Sequence, residues 1–281
     1  MTPIATPLLV AAHAAAQGSE HVPRGGEIFT HLFAHLSPHP ISSVRIAGRD
    51  ITIFNFQIFQ VLAVALILAL FGYALAGLRS GRPNRFQRVW IGFVLWIRDE
   101  MVVPSMGRHH GERFLPYFLS VFFFIAFSNL LGLIPLMSTA TSSPFVTAAL
   151  AILTFLFMIV GGMIAQGPIR FWLNLVPHGL PLFLWPIMFV VELVGLVVKP
   201  VALTIRLFAN MTGGHLVVLS FMGLIFFFGE SLHAMAYAVA IPAVGLAVFI
   251  MIIEAFVVLL QAYIFTLLSI QFVQASLHPE H

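Results

Sequence analysis

Long apolar runs with almost no charge dominate this sequence and decide what it can fold into. From residue 114 to residue 169 there is no charged side chain and no histidine. Of the 281 residues, 60% are apolar and 8% are charged, whereas soluble domains carry about 25% charged residues. These proportions exclude a soluble globular fold. We predict an all-α polytopic membrane protein.

Several classes of function are excluded by what the sequence lacks. It contains no cysteine, which excludes disulfides, thiol catalysis and thiolate metal sites. No HExxH motif, Gly-rich phosphate loop or Ser/His/Asp arrangement is present, so we predict no catalytic site in this chain. His31, His35 and His39 have the spacing of metal ligands on a helix, but Pro38 interrupts that helix. We therefore assign no metal, no cofactor and no nucleic-acid partner.

The polar N-terminal segment is predicted to lie outside the membrane. We assign residues 1–50 to an extramembrane tail and residues 51–281 to a single membrane domain. Residues 7–16 resemble the apolar region of a signal peptide, but no basic residues precede them. We interpret the tail as uncleaved, with cleavage as the alternative.

Five membrane crossings are predicted from the lengths of the apolar runs. They cover about residues 56–78, 114–137, 144–166, 182–228 and 235–275. The last two runs are about twice as long as a bilayer requires, and neither contains a polar turn. We predict that each is one strongly tilted helix and that the two form a long antiparallel hairpin. A break of each run into two spans is the alternative.

A sixth helix is predicted at the membrane surface, over residues 85–108. Its uninterrupted apolar run covers only residues 89–97, because Arg98, Asp99 and Glu100 follow. Such a run is too short to span, so we interpret the segment as an interfacial amphipathic helix.

Arginines beside the apolar runs predict the orientation. Arg79, Arg82, Arg85 and Arg88 follow the first span directly, and the positive-inside rule places that end in the cytoplasm. The N-terminus is then outside. Five crossings place the C-terminus in the cytoplasm.

A few ionisable residues lie inside the fourth run, where a charge costs a few kcal/mol. Glu192, Lys199 and Arg206 are spaced seven residues apart, so they project from one face of a helix. His215 lies about 180° around the helix from Arg206. We expect Arg206 to face a partner and His215 to face the interior. Internal salt bridges, such as Glu192 with Lys199, are the alternative explanation.

The fifth run carries a second pair of polar residues, Glu254 and Gln261, also seven residues apart. In an antiparallel hairpin we expect Glu254 to approach His215, and Gln261 to approach Arg206. A carboxylate and an imidazole placed together can relay protons near neutral pH.

Three segments of the chain resemble subunit a of F-type ATP synthases, the ATPase A chain family. KPVALTIRLFANMTGGHLV at 199–217 resembles the family signature. EAFVVLLQAYIFTLL at 254–268 resembles its last helix, and SNLLGLIP at 128–135 resembles a segment with a polar Asn in the second span. The resemblance covers about residues 50–275.

The resemblance implies a proton-channel stator subunit with two offset half-channels that pass protons to and from the carboxylates of a rotating c ring. It implies an essential arginine facing the ring and a set of residues along the proton pathway. The arginine is Arg206, and the pathway residues are His215, Glu254, Gln261, Asn210, Asn129 and Glu192. The order in this chain, His215 first and Glu254 second, is the one usual in mitochondrial forms and some bacteria. Further implied partners are peripheral-stalk b subunits and the lipid bilayer.

Two questions stay open at this point. The coupling ion is H⁺ or Na⁺, and the Glu/His pair favours H⁺. The location is a bacterial inner membrane or, as the alternative, a mitochondrial inner membrane.

A proton-coupled secondary transporter is the rival function, and it would require broken helices around a midplane pocket.

Overall fold

We analysed a computed structural model of the chain. It describes the backbone of residues 40–46, 49–133, 140–176, 181, 183–231 and 233–277. Side chains are described mainly within 54–133, 140–176, 183–225 and 239–277. The three histidines of the N-terminal segment, at 31, 35 and 39, lie outside the described residues.

The described elements follow one another as a β-hairpin and then a series of helices. The strands are β1 Pro40–Ile46 and β2 Arg49–Phe54, and the helices are α1 Asn55–Arg79, α2 Arg85–Trp96, α3 Val103–Gly132, α4 Pro144–Gln166, α5 Pro168–Leu173, α6 Trp185–Ser231 and α7 His233–Leu277. A π-helical turn, Ile97–Val102, joins α2 to α3, and a short 3₁₀ turn, Ala140–Ser142, precedes α4.

Five of the helical segments are long and apolar enough to cross a membrane. They are Asn55–Arg79, Arg85–Gly132, Pro144–Gln166, Trp185–Ile225 and Val239–Leu277. The prediction of an all-α polytopic membrane protein with about five crossing helices is therefore confirmed.

The β-hairpin was not predicted. β1 pairs with β2 in antiparallel register, from Pro40 opposite Phe54 to Ile46 opposite Arg49, with an irregularity near Pro40. Alternating β-branched residues on both sides of an Ala-Gly pair are the sequence signal that could have revealed it. The second strand, β2, joins directly onto the start of α1.

A break in the backbone divides Arg85–Gly132 at Gly107, and the interfacial position of segment 85–108 stays a prediction. Gly107 has φ +70° and ψ 166°, so the helix is broken there. This conformation favours glycine because other residues meet steric strain at positive φ. The preceding segment turns back along α3, where the ring of Trp90 lies 4.7 Å from that of Phe123.

The last two apolar runs form two long helices, as predicted. α6 has 47 residues and α7 has 45, which corresponds to about 70 Å each at 1.5 Å per residue. They pack on each other more extensively than any other pair of described elements. Leu203 and Leu207 of α6 and Phe265 of α7 are buried in the core. Because α6 continues through Pro200 without a break, the geometry that a secondary transporter would require is not found there.

Candidate functional site

Arg206 lies in the middle of α6 with its side chain exposed. Its neighbours Leu203 and Leu207 are buried, so Arg206 lies at the edge of the packed face of α6. Among the described residues it forms no ion pair and no hydrogen bond. A guanidinium in such a place requires an acceptor from another molecule.

A stripe of exposed apolar side chains runs along α6 and ends at Ile205, the residue before Arg206. The stripe consists of Val191, Val194, Val198, Val201 and Ile205. Their spacing of three and four residues places them on one face of the helix. Each is between 49% and 59% exposed, so this face of α6 is not covered by the described part of the chain.

Glu254 of α7 and His215 of α6 lie in the same part of the hairpin. The carboxylate of Glu254 packs against Gly214, the residue before His215. Glu254 is 9% exposed, and its Oε1 atom has no hydrogen-bond partner. The Nε2 atom of His215 is also buried without a partner. The acid on α7 therefore lies beside the backbone of α6 next to His215, and no direct hydrogen bond joins these two atoms.

Gln261 lies about two turns further along α7 and is 5% exposed. Its Nε2 atom has no hydrogen-bond partner among the described residues, and no hydrogen bond joins its side chain to Arg206 there. Asn210 is half-buried, one turn after Arg206 on α6. The hydroxyl of Thr212 on α6 is buried and unpartnered as well. Polar groups of this kind in a membrane interior require water or a partner molecule.

Asn129 is buried near the end of α3, with 1% exposure. Its Oδ1 accepts a hydrogen bond from the hydroxyl of Thr141, which lies in the 3₁₀ turn before α4. The Nδ2 atom of Asn129 and the hydroxyl of Ser128 have no partner. Because the 3₁₀ turn also contacts α6, Asn129 lies at the junction of three elements.

Glu192 lines a cavity of about 390 Å³ at the other end of the hairpin. Lys199 lines the same cavity, as expected for residues on one helix face. The ammonium of Lys199 lies 5.6 Å from the centre of the Phe272 ring, which is the geometry of a cation–π contact. No ion pair joins Glu192 to Lys199 in the described structure.

Polar side chains from three other elements complete this cavity. Gln166 of α4 donates from Nε2 to the carbonyl oxygen of Ser276 at 2.6 Å. Asn174, after α5, donates from Nδ2 to Oε1 of Gln166 at 3.0 Å. Gln271 and Gln274 of α7 also line the cavity. These amides carry no signal in the sequence, because amides near helix ends are ordinarily explained by solvation.

Comparison with known proteins identifies the family. The ATP synthase A chain family model matches residues 57–274. The chain belongs to the ATP synthase A chain family. All seven predicted site residues, from Asn129 to Gln261, fall within the matched region. Membership in this family connects the chain with ATP synthesis and proton transport, and its spanning helices place it in a membrane.

Bacterial members of the ATP synthase A chain family are similar to this chain over most of its length. ATP synthase subunit a 2 of Chlorobaculum tepidum is 37% identical over 96% of this chain and 78% of the relative. ATP synthase subunit a of Chloroherpeton thalassium is 37% identical over 86% of this chain and 72% of the relative. That of Myxococcus xanthus is 44% identical over 67% of this chain, and the match spans 60% of the relative's length.

Proposed function

We propose that the chain is the proton-channel stator subunit of an F-type ATP synthase. In this role it provides two offset half-channels to a rotating ring of c subunits. The observation that carries the proposal is the exposed Arg206, which has no ion pair in the described part of the chain and lies in the middle of an apolar helix of a member of this family. The exposed apolar stripe on the adjacent face of α6 has the character of a surface that packs against other membrane helices.

Arg206 is the residue that meets the carboxylates of the ring. Its positive charge attracts each carboxylate as it enters the interface and favours the ionised form. A guanidinium keeps its own proton under all physiological conditions. Arg206 therefore also separates the two half-channels, because no proton can pass through it.

The outer half-channel runs past His215 and Glu254 and includes Asn129, Asn210 and Gln261. Support comes from the buried polar atoms in this region that have no partner among the residues that the structure describes, including His215 Nε2 and Glu254 Oε1. Such atoms are satisfied by water molecules, which can conduct protons between neighbouring side chains.

The inner half-channel is the polar cavity that contains Glu192. Its lining of amides and charged groups suits water, and its position near the ends of α4 and α7 separates it from the His215 region. A c-ring carboxylate takes up a proton from one half-channel, rotates through lipid as a neutral acid, and releases the proton to the other. Rotation occurs in the neutral form because a bare carboxylate in hydrocarbon is costly.

The proposed setting follows from the arginine distribution and from the bacterial relatives. We assign the chain to a bacterial inner membrane, with the N-terminus outside and the C-terminus in the cytoplasm. Peripheral-stalk b subunits and the c ring are its proposed partners, and H⁺ is the proposed coupling ion.

The test is ATP-driven acidification of inverted membrane vesicles that contain the whole complex. Arg206→Ala is expected to abolish proton pumping while the complex still assembles, because the exposed Arg206 side chain forms no ion pair or hydrogen bond with the described part of the chain. Ile205→Ala is the matched control, since it removes the neighbouring exposed side chain without removing charge. Wild-type pumping by Arg206→Ala would overturn the role assigned to Arg206.

A further inference from the structure

A groove lies on the surface of the membrane domain between α3, α4 and the end of α7. Its volume is about 430 Å³, within the range of binding sites for small molecules. His110 and Arg113 line one end, and apolar side chains such as Val160 and Ile164 line the rest. The groove is separate from the cavity that contains Glu192.

The two ends of the groove lie at different depths along the apolar span of α3. At its inner end the ring of Tyr117 stacks on that of Phe157, with centroids 4.0 Å apart. The Tyr117 hydroxyl also shares a hydrogen bond of 2.8 Å with Thr154. This stack lies about 6 Å along the helix from Arg113, on the side where α3 carries no further charge. The basic end therefore lies at the membrane surface, and the apolar end enters the hydrocarbon.

The charge of Arg113 and the exposure of the apolar wall indicate which kind of ligand fits the groove. The Arg113 side chain is exposed and has no ion pair in the described part of the chain. Val160 is 50% exposed and Ile164 is 69% exposed, so the apolar wall is open to a ligand from the lipid side. Glu112, the neighbouring acid on α3, does not line the groove.

We propose that this groove binds one phospholipid with an anionic headgroup. The headgroup phosphate meets Arg113, whose guanidinium can donate two hydrogen bonds to it, and His110 flanks it. The upper part of an acyl chain lies along Val160 and Ile164. Basic pockets between spanning helices at the membrane surface are the usual form of such lipid sites. A partner helix fits less well, because the Tyr117–Phe157 stack lines the inner end of the groove only about one turn of α3 beyond Arg113.

The experiment is native mass spectrometry of the full-length chain in detergent, with phosphatidylglycerol and phosphatidylcholine of identical acyl chains as probes. The wild-type chain is expected to retain one phosphatidylglycerol in preference to phosphatidylcholine. Arg113→Gln is expected to weaken phosphatidylglycerol binding about fivefold and to leave phosphatidylcholine unchanged. Arg113→Lys should retain most of the binding. Arg170→Gln, which removes an exposed arginine outside the groove, is the charge control.

A second pair of variants tests the apolar wall. Ala165→Phe places a ring in the groove from an exposed position of α4, and it should displace the lipid without disturbing the core. Ala149→Phe makes the same change at an exposed position of α4 outside the groove. Equal retention of phosphatidylglycerol by wild type and Arg113→Gln would overturn the proposal. So would displacement of the lipid by inorganic phosphate, or loss of a co-purifying protein instead of lipid in Ala165→Phe.

Discussion

The carboxylate of Glu254 occupies the space that a Cβ atom at position 214 would fill. Gly214 is therefore the residue that allows the acid on α7 to approach the backbone of α6 beside His215. Gly213, the adjacent glycine, has nothing within 4 Å of the corresponding position. The Gly-Gly pair thus has one member in close contact and one facing open space.

Gly214→Ala is expected to slow proton transport. The added methyl group would force the Glu254 side chain away from α6, which would alter its position relative to His215. Under the proposed function, ATP-driven acidification of inverted vesicles should fall several-fold. A misplacement of about 1 Å at a reacting group is sufficient for an effect of that size.

Gly213→Ala is the matched control for this change, because it adds the same methyl group one residue earlier. It should pump protons at close to the wild-type rate. Equal rates for Gly213→Ala and Gly214→Ala would show that the position of the Glu254 carboxylate does not limit the flux.

Much of the architecture is predictable from sequence because the membrane imposes simple length and charge rules. The span α4 was predicted at its observed bounds, 144–166, since Pro144 starts the helix and an uncharged run defines its length. The long hairpin followed from two runs without polar turns. The contact of Gly214 with Glu254 was not predictable in atomic detail, because it depends on the rotation of α6 against α7.

The polar cavity was not predictable for a different reason. Its lining combines Gln166, Asn174 and Ser276, which are distant in sequence and share no spacing pattern. Only the packing of α4 against α7 brings them together. Glu192 was identified because an acid in an apolar run requires an explanation, whereas an amide at a helix end does not.

Gly162→Ala is expected to destabilise the packing of α4 against α5 and α7. A Cβ atom at position 162 would collide with the hydroxyl of Ser276 and the ring of Phe171, both of which are buried. Overpacking of this kind costs about 1–3 kcal/mol. Thermal unfolding of the purified protein in detergent should show a lower midpoint temperature.

Gly161→Ala tests whether the lower unfolding midpoint of Gly162→Ala is caused by the collision with Ser276 and Phe171. A methyl group at position 161 would meet Leu277 and Phe114 at 3.7 Å, which is an ordinary van der Waals distance. Its unfolding midpoint should remain near that of the wild type. If Gly161→Ala lowers the midpoint as much as Gly162→Ala does, the tight contact at position 162 is not the cause.

Gln87→Leu is expected to loosen the connection between α1 and α2. Gln87 is 5% exposed, accepts a hydrogen bond from the Asn84 backbone N–H at 2.8 Å, and donates to the Tyr73 carbonyl at 2.8 Å. Leucine keeps the approximate volume but leaves both backbone groups without this partner, at a cost of about 1–3 kcal/mol. A lower unfolding midpoint is the expected result, and the exposed neighbouring change Arg88→Gln should have little effect.

Glu192→Gln is expected to slow proton release through the polar cavity while the subunit folds normally. Glutamine matches the size of the acid and keeps hydrogen bonding, so the cavity lined by Leu196 and Lys199 should retain its shape. Only the capacity to exchange a proton is lost. ATP-driven pumping should decrease, whereas the amount of assembled complex in the membrane should not change. Glu100→Gln removes an exposed carboxylate outside the cavity and should pump normally; equal rates for these two variants would place the proton path elsewhere.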